Sequence, residues 1–208
     1  KEIRRNLKLR EDIIERIFIF FGGSDPTNET RKALMAIRSL DMENILIDVV
    51  MGATNPHYEE VENLCAGMPE VKINRQVVNI AELMSKADLA IGAGGSSTWE
   101  RCCVGLPSLV WCIAENQLAI AKSADEIGVC VNLGKAENVT EIMAANALDD
   151  LLRNDEKRLH MKQNSLGVVD GEGVARVLME ITVKLQISVV SDKASWLNEY
   201  IPCLTDLQ

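Results

Sequence analysis

The chain has no C-x-x-C pair, no internal repeat, no low-complexity segment, no membrane-length apolar run and no surplus of basic residues. Each absence removes a class of function. A formal charge of -9 excludes a surface that tracks nucleic acid or anionic membrane, because such surfaces need a basic footprint. It leaves open the binding of a single diphosphate. Backbone N–H groups at helix N-termini hold such a group through a local field that net charge hardly reports. The six cysteines, Cys65, Cys102, Cys103, Cys112, Cys130 and Cys203, mostly fall inside apolar segments. They read as reduced core thiols of a cytoplasmic protein, not as a disulfide framework or zinc site. No signal peptide and no metal-ligand cluster is visible, so neither a membrane span, a metal nor a cofactor is expected.

What the sequence does have is a repeated alternation of short apolar runs with helical patterns. Ile17-Phe18-Ile19-Phe20-Phe21 is apolar throughout and stops at Gly22-Gly23, as expected of a strand buried on both faces. Asp25-Pro26 predicts a helix start, with Ala33, Leu34, Ile37 and Leu40 at helical spacing behind it. Further strands are expected at 45–50, 71–73, 89–91, 108–112 and 130–133. Helices are expected near 58–66, 80–86, 98–103, 117–127, 141–152, 156–163 and 173–185. Six strands alternating with helices predict an α/β domain built on a Rossmann-like, doubly wound parallel sheet.

Three loops then stand at C-terminal strand ends, where open α/β sheets bind ligands. They are Gly22-Gly23-Ser24-Asp25 after strand one, Gly92–Thr98 after strand four, and Ala114-Glu115-Asn116-Gln117 after strand five. If the strand order is 3-2-1-4-5-6, the two glycine-rich loops face one another across the switch point. Glycine there permits positive φ and removes the Cβ that would hold a phosphate off the backbone. Serine and threonine add hydroxyl donors, and the N–H groups opening the following helices supply the rest. Neither loop is a Walker A or a G-x-G-x-x-G motif. Glu100, in the first turn of the helix after Thr98, stands where a carboxylate accepts both hydroxyls of a ribose or simply complements the helix dipole.

The stretch Phe20–Asn28, together with Gly92–Glu100, Gly105-Leu106-Pro107 and Glu115-Asn116-Gln117, resembles the C-terminal domain of the pseudaminic-acid-pathway UDP-sugar hydrolases (PseG). More distantly it resembles the peptidoglycan N-acetylglucosaminyltransferase MurG. That resemblance, running from about Ile17 to Leu185, implies the C-terminal half of a GT-B fold with a UDP-sugar at the interdomain cleft. It implies that Gly22, Gly23 and Ser24 line the diphosphate, that Gly95, Ser96, Ser97 and Thr98 hold phosphate oxygens, and that Glu100 holds the ribose. Backbone groups at Val77 and Val78 would read the uracil edge, and Asn116 and Gln117 would face the sugar or its phosphate. The catalytic base of the hydrolases lies in a histidine loop of their N-terminal domain, which has no counterpart here. His57 and His160 are expected to lie away from the three loops.

Residues 1–14 are thus expected to be the linker or tail of a missing N-terminal domain, 15–186 the UDP-sugar-binding domain, and 187–208 the start of a truncated further domain or an extension. The stretch from Ser188 to Asn198 resembles the opening of a formyltransferase-like domain. The function expected first is hydrolysis of a UDP-sugar in glycan biosynthesis. A GT-B glycosyltransferase, an epimerase of related fold and a non-catalytic interaction domain are the alternatives.

Overall fold

A sheet whose strands are apolar on both faces has to be covered on both sides, and the distribution of side chains follows from that requirement. The computed structural model describes residues 2–5, 13–40, 42 and 44–184. Among them, β1 (Arg16–Phe20), β2 (Leu46–Met51), β3 (Val71–Arg75), β4 (Leu89–Ala93), β5 (Ser108–Cys112) and β6 (Val131–Lys135) form one sheet. All its pairings are parallel and the order is β3-β2-β1-β4-β5-β6. The doubly wound order expected from the sequence is the one observed.

Alternate residues of each central strand serve opposite faces. Ile17, Ile19, Val49, Met51, Leu89, Ile91, Leu109 and Trp111 enter one cluster with α2 (Glu29–Arg38), α3 (Tyr58–Cys65) and α7 (Glu141–Arg153). Phe18, Val50 and Ala90 turn the other way, against Met84 of α4 (Ile80–Lys86). Val110 and Cys112 meet Cys102 of α5 (Ser97–Cys103) and Ala121 and Ala124 of α6 (Leu118–Glu126) on that same face. Phe18 and Phe21 are wholly buried, and burial of each ring contributes about 2 kcal/mol. Phe21 also lies 4.6 Å, centroid to centroid, from Trp111.

Two further helices, α8 (Asp155–Val168) and α9 (Gly173–Lys184), close the described chain. At its other end is α1 (Glu2–Arg5). From α1, Arg4 donates to the carbonyls of Cys103 at 3.0 Å, Leu166 at 2.7 Å and Val169. This short helix is therefore docked over the ends of α5 and α8.

Three boundaries differ from expectation. Gly92 and Ala93 complete β4, paired with Phe20 and with Val110 and Trp111 of β5. The last strand runs Val131–Lys135 and is half-buried along its length, as an edge strand must be. The first long helix begins at Glu29, three residues after Pro26. The reason for that shift lies in the candidate site. The expected run at 187–190 and the helical stretch after it lie outside the described residues.

Candidate functional site

Parallel pairing of β1 with β4 sets Phe20 opposite Gly92, so the turns that leave these strands start side by side at one sheet edge. Gly22 takes φ +90°, a conformation that side chains resist. Gly23 and Ser24 after it are exposed. Asp25 then turns inward and is 1% exposed. Its carboxylate accepts from the N–H groups of Glu29 at 2.8 Å and Thr30 at 2.9 Å. Asn28, in the left-handed region at φ 56°, accepts from Arg31 through its side chain. The expectation that free N–H groups of the helix after this loop serve a phosphate is thus corrected. The protein's own Asp25 and Asn28 use them, and left-handed Asp25 and Asn28 push the helix start past Pro26. Glu29 is buried beneath the turn, accepting from Trp111 Nε1 at 2.7 Å and Lys32 Nζ at 2.6 Å.

The turn after β4 is finished differently. Ser96 caps α5 only by position and makes no side-chain capping bond. Thr98 N–H goes to the Gly95 carbonyl and Trp99 N–H to that of Ser96. Among the described residues no protein acceptor takes the N–H groups of Gly95, Ser96 or Ser97. Gly94 cannot carry a side chain, because a Cβ would lie 2.7 Å from Ala121 Cβ.

Beneath the loop lies Arg101, 1% exposed. Its guanidinium donates to Ser97 Oγ at 3.1 Å, Thr98 Oγ1 at 3.0 Å and the Ala93 carbonyl at 3.0 Å. Its Nε is buried without a partner. Burial pushes this guanidinium down to about 10, with Cys130, Cys102 and Glu100 acting in the opposite sense. It is therefore charged at neutral pH. Nothing in the sequence marks Arg101, since Trp-Glu-Arg-Cys-Cys in a helix offers no sign of burial. The Thr98 hydroxyl, expected on the phosphate face, is 2% exposed and turned down onto Arg101. It supports the loop from below. Ser96 is exposed and Ser97 half-buried.

The remaining expected residues gather around this seam. Gln117 Oε1 accepts from Ile113 N–H at 3.0 Å, and its Nε2 stands 3.2 Å from where a Gly95 Cβ would be. The third loop thereby touches the second. Asn116 and Glu100 are exposed. Val77, like Phe20 and Ile80, packs against the cluster built on Phe18, Val50 and Met84. Val78 is fully exposed (102%).

The turn after β2, absent from the expected set, also reaches this edge. A Cβ on Gly52 would lie 2.0 Å from the Gly23 carbonyl. His57, expected away from the loops, contradicts that expectation: its Nε2 meets the Pro26 carbonyl at 3.0 Å. His160 does lie elsewhere. It lines an open depression of about 500 Å3 with Asp125, Gly128 and Asn164. Burial pushes the Cys130 thiol up to about 12 and that of Cys65 up to about 11, so neither is a ready nucleophile.

A family model described as "Protein of unknown function (DUF354)" matches residues 34–183. The chain belongs to that family. Over 175 residues it is 33% identical to the spore coat polysaccharide biosynthesis protein SpsG of Bacillus subtilis (strain 168), covering 84% of this chain and 51% of that one. Over 109 residues it is 28% identical to the UDP-N-acetylglucosamine--N-acetylmuramyl-(pentapeptide) pyrophosphoryl-undecaprenol N-acetylglucosamine transferase of Sulfurimonas denitrificans, covering 50% of this chain and 30% of that one. Among solved structures, MurG of Acinetobacter baumannii superposes with a TM-score of 0.67 at 18% identity, covering 87% of this chain and 52% of that one.

At that identity the likeness concerns fold alone, a Rossmann-like α/β sheet that corresponds to about half of the MurG chain. The chain spans about half the length of the curated relatives it matches, or less. Neither relative's name mentions hydrolysis or pseudaminic acid. No helix among the described residues is long and apolar enough to cross a membrane.

Proposed function

We propose that this chain is the donor-binding half of a GT-B glycosyltransferase of polysaccharide biosynthesis, holding the UDP portion of a sugar nucleotide over the β1–β4 seam. The observation that carries the reading is the turn after β4. Among the described residues, three successive N–H groups stand there without a protein acceptor, above a buried positive charge and beside the exposed glycine-serine turn after β1. In this reading the diphosphate lies on Gly95, Ser96 and Ser97 with Gly23 and Ser24 flanking it. Glu100 accepts the ribose hydroxyls, and the main chain at Val77 and Val78 reads the uracil edge. Asn116 and Gln117 face the sugar.

The chemistry asked of this half is stabilisation of the leaving group. As the sugar C1–O bond breaks, the electron pair passes to the β-phosphate oxygen. Fixed donors aimed at that growing charge lower the barrier, typically by about 3 kcal/mol per well-placed donor. The acceptor and the base that deprotonates it belong, in this proposal, to a partner half. The name of the Sulfurimonas relative, a transferase, supports transfer over the hydrolysis that the pseudaminic-acid resemblance implies, and the name of SpsG supports polysaccharide biosynthesis.

Calorimetry tests the site. UDP binds the wild-type chain, and Glu100→Ala weakens UDP about tenfold while leaving inorganic pyrophosphate unchanged, since the carboxylate meets only the ribose. Equal weakening of both ligands contradicts the assignment. For the protein carrying both halves, UDP release that depends on an added acceptor supports transfer. Release indifferent to any acceptor returns hydrolysis to first place.

A further inference from the structure

Arg101 is an unusual thing to find beneath a turn of glycines and serines. A wholly buried guanidinium is ordinarily matched by a carboxylate, because an unpaired charge in a protein interior is costly. Among the described residues its three partners are two hydroxyls and one carbonyl, all neutral, and Nε has none. Glu100, its chain neighbour, is exposed and makes no ion pair with it among the described residues.

The backbone has been shaped to admit this group. A Cβ at Gly92 would lie 3.3 Å from Arg101 Nη1 and 2.3 Å from the Phe20 carbonyl. The charge therefore sits at the junction of β1 and β4, under the turn after β4. Through Nη1 and Nη2 it fixes the hydroxyls of Ser97 and Thr98 from below.

The geometry points to Arg101 as a positioning residue for the diphosphate, a buried cation that sets the turn after β4 and is balanced only when an anion occupies the turn's outer face. This rests on the donor-site reading above and deepens it, because it assigns the site's preference for diphosphate over nucleoside to a residue that need not touch the ligand. The arrangement has a thermodynamic consequence. In the free protein the charge is held at a cost, as its lowered proton affinity reflects. Binding of an anion relieves that cost, so the ligand and the guanidinium favour one another reciprocally.

The test compares UDP with uridine on the full chain by calorimetry, for wild type, Arg101→Gln and Arg101→Lys. Glutamine keeps a donor for the Ala93 carbonyl and loses the charge; lysine keeps the charge and loses the planar fork. Arg101→Gln should weaken UDP about thirtyfold while uridine stays within about twofold. Arg101→Lys should hold UDP within about threefold of wild type. A merely structural role would lower UDP and uridine affinity together, or would leave both variants alike, and either result overturns the inference. Should the glutamine variant fail to fold, the lysine variant decides alone. A retained preference for UDP over uridine supports the role, and its loss overturns it. Absence of UDP binding to wild type would remove the donor-site reading itself, and this inference with it. Wild-type binding with unchanged UDP affinity in Arg101→Gln would remove only the inference.

Discussion

The turns after β1 and β4 are spelled almost alike, Gly22-Gly23-Ser24-Asp25 and Gly94-Gly95-Ser96-Ser97, and they leave adjacent strands. They end differently. Asp25 folds under its own helix and takes two of its N–H groups. Ser97, at the matching place, instead accepts from Arg101, and among the described residues the N–H groups of Gly95, Ser96 and Ser97 have no protein acceptor. Asp25 and Asn28 thus spend the donors that begin α2 on the protein, whereas no side chain caps α5. The first turn offers a glycine-serine backbone and little else, whereas the second offers donors and a field.

Substitutions in and around the two turns should differ in cost. Gly92→Ala forces a Cβ to within 2.3 Å of the Phe20 carbonyl. It should cost about 3 kcal/mol in denaturant unfolding, because backbone, not a flexible side chain, has to yield. Asp25→Ala should cost about 2 kcal/mol by the same measurement, since it strips two buried N–H groups of their acceptor. Ser96→Ala, the capping position of α5, should change stability by less than about 0.5 kcal/mol because its side chain makes no capping bond. Equal costs at Asp25 and Ser96 would erase the distinction between the turns.

Gly23→Ala sharpens it. No atom lies within 4 Å of a Cβ at Gly23, so stability should be unchanged while UDP affinity falls about fivefold, the methyl now standing where phosphate approaches. The smallest effect is chemical. Burial opposes thiolate formation, so Cys130, raised to about 12, should resist alkylation at pH 8 in the folded chain. It should react only after unfolding, as read by mass spectrometry.

Much of this architecture was legible because a strand buried on both faces writes itself as a continuous apolar run. Ile17–Phe21 and Ser108–Cys112 could hardly be anything else, and the 3-2-1-4-5-6 order followed from the common doubly wound topology. Glycine marked the turns for the same reason that they work, the need for backbone without side chain. What stayed hidden was tertiary. Asp25 was recognised as a helix-starting acid, but its left-handed backbone (φ 40°) moved the helix three residues on. Arg101 looked like any helix-surface arginine, since nothing in a linear pattern says that Gly92 clears space for its guanidinium. Gly52 against Gly23, and His57 against Pro26, join turns from different strands and leave no periodic trace.

The most direct measurement is a structure of the chain with UDP bound. The account predicts a diphosphate within hydrogen-bond reach of the Gly95, Ser96 and Ser97 amides, with both ribose hydroxyls on Glu100 and Arg101 still buried behind the turn. UDP found at another edge of the sheet, or at this edge with its phosphates turned away from those amides, would contradict it.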